Sequence, residues 1–267
     1  MQKVVKALCD ALTLAVKPIG ANASFFFFMY ALGCVSSWAV LPDSKGAKVY
    51  DNLYLELLLD TYALCMVLAL LPLAVRRWAR GLLYVALYTT SLVDVYCFVK
   101  FQSTLTPSML MLVGETDTRE AGEFLRSCVS PGVITSSVGW VLALIILHVL
   151  TALRLKFPHI IPHRTEQRLR GAGRRIAAFA SEAYVRAAAG LAVVIMVVWA
   201  AVVSADNKQA TWKLMSGTNI GEVEHTLTEK DHAQLYLPAY RLVFSVYANS
   251  LAAKQIDRLI AGINDVR

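Results

Sequence analysis

The chain of 267 residues is 57% apolar and only 17% charged, a profile that belongs to a multi-span membrane protein and excludes an ordinary soluble domain. Its net charge of +7 would fit nucleic acid as a partner, but the basic residues gather in short loops between apolar runs. That pattern is a topology signal, so nucleic acid is excluded. Cys9, Cys34, Cys65, Cys97 and Cys128 are far apart, with no CxxC and no Cys/His cluster, which predicts neither a disulfide framework nor a zinc site in this chain.

The N-terminal arm, Lys3 to Val16, reads as an amphipathic helix at a membrane surface or as a simple basic anchor. No small-residue cleavage site follows it, so the first span is expected to be retained. A helix needs roughly 20 mostly apolar residues to cross a bilayer core, and five stretches qualify. They are about 21–41, 53–75, 82–99, 133–153 and 184–205. Leu235 to Leu251 is not a sixth, because Pro238, Arg241 and Asn249 interrupt it.

Lysines and arginines assign the sides of the membrane. Lys3, Lys6 and Lys17 precede the first span; Arg76, Arg77 and Arg80 stand between the second and third. Arg154, Lys156, Arg164, Arg168, Arg170, Arg174 and Arg175 stand between the fourth and fifth. The opposite side holds fewer, mixed with acids. The N-terminus is therefore expected inside and the tail from Asp206 outside. The loop 158–175, with Pro158, Pro162 and Gly171-Ala172-Gly173, reads as a turn followed by a short basic helix.

Ionisable residues within spans are costly and usually face protein or a cavity. Glu56 and Asp60, at i and i+4, share one helix face, and Asp94 lies near the outer end of the third span. Two readings stand: these acids reach the interface or satisfy hydroxyls such as those of Tyr54 and Thr90, or they assist in a substrate cleft.

Between the third and fourth spans lies a long connection broken by Pro107, Gly114 and Pro131. Its acidic insert runs Gly114-Glu115-Thr116-Asp117-Thr118-Arg119-Glu120-Ala121-Gly122-Glu123-Phe124-Leu125. Asp117 as N-cap and Glu120 at the third helical position start a short helix, which brings Thr116, Glu120 and Glu123 together at spacings of four and three. This is either a capped, solvated surface helix or a pair of carboxylates that grips an ammonium headgroup or lies beside a metal held by another domain. In the tail, His225 and His232 stand seven apart without a ligand-rich setting and read as solvated loop residues. A partly amphipathic helix is predicted after Pro238, to Ile263.

At the insert, Thr116-Asp117-Thr118-Arg119-Glu120-Ala121 resembles the Thr-Asp/Asn-x-x-Glu-Ala pattern that follows the third span of bacterial phosphoethanolamine transferases acting on lipopolysaccharide. The resemblance extends to the five spans, the inside N-terminus and the external tail. It implies an all-α membrane domain, 1–205, with a short periplasmic helical insert between spans 3 and 4. A periplasmic bridging segment, 206–267, would then lead to a catalytic domain of alkaline phosphatase and sulfatase type that lies outside this chain.

In such enzymes a threonine nucleophile and zinc, both in that absent domain, move phosphoethanolamine from phosphatidylethanolamine to lipid A or the lipopolysaccharide core. The resemblance thus implies a bacterial inner-membrane location and no catalytic or metal residue in this chain. It places Thr116 and Glu120 near the donor headgroup, with Asp117 between them; Glu123 and Asp94 are added as outside candidates from their charge and position. An asparagine that several relatives carry eight residues before the glutamate is Leu112 here. The competing reading is a non-catalytic five-span scaffold or a small transporter, although no convincing internal repeat favours transport and the ionisable residues lie near span ends.

Overall fold

The computed structural model describes residues 2–40, 52–107, 131–156, 183–219, 221–223 and 237–264. Among these residues the secondary structure is helical, without strands. In chain order the helices are α1 (Gln2–Ala21), α2 (Ala23–Ala39), α3 (Leu53–Leu70), α4 (Leu73–Phe101), α5 (Pro131–Ile134), α6 (Ser137–Lys156), α7 (Ala183–Met215) and α8 (Pro238–Asn264). The chain divides into two compact units. Unit 1 comprises Met1–Ala31, Leu55–Tyr84 and Ala143–Val202; unit 2 comprises Leu32–Tyr54, Val85–Leu142 and Val203–Arg267.

Helices α3, α4 and the Tyr184–Met215 part of α7 are long and apolar enough to cross a membrane. A fourth span results if α1 and α2, bent by 74° at their junction, count as one. The most apolar window of α7 is only 22% buried within the protein. Trp199, Val202 and Leu191 stand exposed on it, an arrangement stable only where the surrounding solvent is itself apolar. These are the helices of a membrane protein.

The boundaries differ from the expected spans for local reasons. The second span was expected to reach 75, but α3 stops at Leu70 because Pro72 disfavours helical backbone at Leu71. The Pro72 carbonyl instead accepts the Arg76 N–H at 2.8 Å and starts α4. Arg76, Arg77 and Arg80, expected in a loop, therefore lie in the first turns of α4, which begins well before 82. Ser136 caps α6 by accepting the Val138 N–H at 3.3 Å, so this helix starts at 137 and not 133. Its apolar part, Ser137–Leu153, is shorter than the other candidate spans. At about 1.5 Å per residue it extends about 25 Å, just short of a full hydrocarbon core. Helix α7 continues to Met215, past the expected end at 205, because Ala210 and Leu214 keep one of its faces buried.

In unit 1 the arm α1 lies along the surface with one face packed. Cys9, Leu12, Thr13, Val16 and Ile19 are half-buried, whereas Lys6, Asp10 and Lys17 are exposed, the helical spacing of an amphipathic surface helix. The Tyr62 hydroxyl donates to the Ala15 carbonyl at 3.0 Å and ties the arm to α3. At the bend, Asn22 is 1% exposed, and its carbonyl accepts the Phe26 N–H at 2.9 Å as the first bond of α2. Its Nδ2 donates to the Pro18 carbonyl at 3.2 Å and to the Cys65 carbonyl at 3.3 Å. The side chain thus joins α1, α2 and α3 at one point.

Buried hydrogen-bonding groups cost about 1–3 kcal/mol when their partners are removed. Asn22→Ala should lower the melting temperature in detergent by several degrees, and Asn22→Asp should lower it further by setting an anion against two carbonyls. Equal melting of the two variants would refute the two-carbonyl arrangement.

His148 on α6 is also enclosed, at 8% exposure. It shares a 3.3 Å hydrogen bond with Ser24 and lies between the rings of Phe28 and Tyr84, at centroid distances of 4.2 and 4.5 Å. Phe25 packs on the same Tyr84 ring at 5.3 Å. This aromatic packing joins α2, α4 and α6.

Candidate functional site

In unit 2 the buried acid that the sequence singled out meets a cation. Asp94 is fully buried in the last turns of α4, and Arg241 on α8 is 9% exposed. Arg241 Nε donates to Asp94 Oδ1 and Oδ2 at 3.0 and 3.1 Å, and Nη2 donates to Oδ2 at 2.5 Å. The Leu105 backbone N–H donates to Oδ1 at 3.1 Å. Leu105 reaches this position because the chain reverses just after α4, where Gln102 takes a left-handed backbone with φ 54°. Such a conformation ordinarily costs a non-glycine residue about 1–2 kcal/mol and persists where surrounding contacts hold it.

The rest of α8 follows the same register. Arg241, Phe244, Ser245 and Ala248 fall at helical spacing on one face. Ser245 Oγ donates to the Leu105 carbonyl at 3.3 Å, so both backbone groups of Leu105 are held. Phe244, Ala248 and Leu251 pack with Leu214 from α7 and with Val223 in one apolar cluster of this unit. Lys208 on α7 donates to the Tyr240 hydroxyl at 2.9 Å, and the Tyr247 hydroxyl donates to the Gly217 carbonyl. The tail helix is thereby fastened on both α4 and α7.

Just beyond α7, Asn219 Oδ1 accepts the Glu222 N–H at 2.8 Å, and Glu222 Oε2 accepts the Thr218 N–H at 3.0 Å. These reciprocal bonds are close to a capping box and start the helical turn at 221–223 that carries Val223 into the core.

The chemistry of the Asp94 arrangement is that of a clamp. A carboxylate held by a guanidinium and a backbone N–H is a fixed anion, with its charge-assisted bonds spent on orienting α8 against α4. Thr116, Asp117, Glu120 and Glu123 lie outside the described residues, as do His225 and His232. Of the other acids in spans, Glu56 is buried at 2% exposure and Asp60 is half-buried. Among the described residues no three His, Cys, Asp or Glu side chains gather as a metal-binding group.

Arg241 is the residue that sequence reading missed. It counted only as an interruption that disqualified 235–251 as a span, yet a cation in an otherwise apolar helix and an acid in a nearby span each need a partner. That shared need was the available signal. Ser245 and Leu105 gave none, because their roles depend on the chain reversal after α4. Compared with known proteins, the chain matches no family model, no curated protein and no solved structure.

Proposed function

We propose that this chain is the membrane domain of a phosphoethanolamine transferase of the bacterial inner membrane. It would bind phosphatidylethanolamine at the outer leaflet and dock a zinc-bearing catalytic domain that delivers the group to lipid A or the lipopolysaccharide core. In this reading five spans cross the membrane, with α2 as the first and α6 as the fourth, the N-terminus inside and α8 on the periplasmic side. The observation that supports it is the likeness of Thr116–Ala121 to the transferase pattern, on the connection that follows α4, whose last turns hold α8 through the buried Asp94–Arg241 pair.

A transferase divided between two domains needs such a joint, because holding donor and nucleophile in a near-attack geometry removes much of the entropic barrier. Thr116, Asp117, Glu120 and Glu123 would then face the donor headgroup, while Asp94 acts through Arg241 as a positioning residue. The carboxylates would accept hydrogen bonds from the donor's ammonium, a charge-assisted contact that does not require metal in this domain.

The test is expression of the complete reading frame in bacteria without their own such transferases, with lipopolysaccharide mass as the readout. A phosphoethanolamine increment is expected for the wild type, and Glu120→Ala should remove most of it while leaving the protein in the membrane. An unmodified lipopolysaccharide from well-inserted wild type, or a stop codon directly after Arg267, would sink the enzyme reading in favour of a scaffold.

A further inference from the structure

Where α1, α3 and the start of α4 meet within unit 1, a cavity of about 610 Å³ is lined by Leu14, Lys17, Pro18, Ala21, Ala69 and Arg76. Its walls are mostly apolar, and among the described residues its charged lining residues are two cations, Lys17 and Arg76, with no acid. The two cations are presented differently. Arg76 is half-buried and fixed: its Nη2 donates to the Ala69 and Leu71 carbonyls at 2.7 and 3.0 Å, capping the C-terminal end of α3 where the last helical acceptors lack donors. Its Nε is buried without a partner among the described residues. Lys17 is exposed on the flank of the arm, beside the face that packs, and lines the cavity with Leu14, Pro18 and Ala21.

The depth of this cavity matters as much as its charge. Helix α3, an apolar candidate span, ends at Leu70, one residue past Ala69, and the bend from α1 into α2 follows Ala21 by one residue. Two helix ends and two cations thus mark the level where hydrocarbon gives way to headgroups. Apolar lining residues beside a guanidinium held by two carbonyls suit an amphiphile whose polar end is a phosphate, since Arg and Lys donate to phosphate oxygens with charge assistance.

We propose that this cavity is a binding site for the phosphate of an anionic glycerophospholipid, with an acyl chain along Leu14, Pro18 and Ala69. With two cations and no acid among the described lining residues, a headgroup of net negative charge fits better than a zwitterionic one, whose ammonium would meet those cations. This lipid is therefore distinct in class from the phosphatidylethanolamine donor proposed above, and the site stands whether or not that reading does. Its role is to hold the amphipathic arm α1 at the membrane surface and brace it against the turn between α3 and α4.

The experiment is a lipid titration of the purified full chain in detergent, followed by native mass spectrometry and thermal unfolding. Phosphatidylglycerol should give a discrete bound adduct and raise the melting temperature, whereas phosphatidylcholine, phosphatidylethanolamine and inorganic phosphate should do neither at the same concentration. Lys17→Gln should weaken phosphatidylglycerol binding about fivefold, and Lys17→Arg should restore it. Arg76→Gln should weaken it further, but because Arg76 also caps α3, the exposed Lys17 carries the decisive comparison.

Lys6→Gln separates a site from diffuse attraction. Lys6 is an exposed cation of the same helix outside the cavity, and its loss should leave the adduct unchanged. Equal losses at Lys6 and Lys17 would overturn the site, as would equal binding of phosphatidylcholine. Inorganic phosphate that competed at the lipid's own affinity would overturn the lipid assignment.

Discussion

Arg241→Met is expected to destabilise the protein by about 3–5 kcal/mol, because it leaves Asp94 as an uncompensated anion in a fully buried position. The Leu105 N–H alone would then face the carboxylate, one neutral donor in place of a guanidinium. Asp94→Leu strands the opposite charge and should be comparably damaging. The double variant Asp94→Leu/Arg241→Met should recover most of the loss, since a buried ion pair replaced by apolar side chains of similar volume is often neutral in stability. Thermal unfolding in detergent of all four proteins closes a double-mutant cycle, with a coupling of several kcal/mol expected. Single variants that melt with the wild type would show that the pair does not hold α8.

Recovery of stability in that double variant separates two jobs of the pair. Apolar contacts of Phe244, Ala248 and Leu251 with Leu214 and Val223 already give α8 a packed face. What a guanidinium and a carboxylate add is direction, through bonds of fixed geometry. On the proposed transferase reading, the stable double variant should retain folding yet lose part of the transfer activity. Restored activity together with restored stability would reduce the pair to a packing element.

Much of this fold is legible in the sequence because the bilayer demands long apolar runs, and α3, α4 and α7 satisfy that demand by composition alone. The tail helix after Pro238 was legible too, from a proline suited to a helix start and from apolar residues at helical spacing. Helix ends were not. Hydropathy averages over a window, whereas the termination of α3 rests on one proline and the start of α6 on one serine hydroxyl. The arm's sharp entry into α2 depends on Asn22 reaching the Cys65 carbonyl, 43 residues away, a contact no local pattern reveals.

The candidate site divides in the same way. Asp94 stands out as an acid in an apolar helix, so its identification required only the cost of charge in a membrane. Its partner lies 147 residues away, and sequence alone offered no means of choosing Arg241 from the other cations. His148 was passed over because a single histidine inside an apolar run has no motif around it. Its enclosure by Phe28, Tyr84 and Ser24 exists only once three helices have packed.

Gly190→Ala is expected to displace the N-terminal arm from its packed position. Gly190 is buried on α7, and a Cβ there would lie 2.0 Å from the Leu12 carbonyl oxygen and 2.5 Å from its carbonyl carbon. Both atoms belong to backbone, so no rotamer change relieves the overlap. The small residue permits the close helix approach typical of packing in membranes. Forcing the helices apart should cost about 1–3 kcal/mol, the usual scale of overpacking, and more if the Tyr62 bond to Ala15 is lost with it.

The loss should be local before it is global. Hydrogen exchange should accelerate across α1, above all around Leu12 to Val16, while α8 in the other unit keeps its protection. Gly190→Ser should behave like the alanine variant because its Cβ meets the same backbone. Unchanged exchange in α1 for both variants would mean that the arm does not rest on α7 at this position. An arm released in this way should also lose the proposed phosphatidylglycerol adduct, since Lys17 and Arg76 line the cavity only while α1 stays docked.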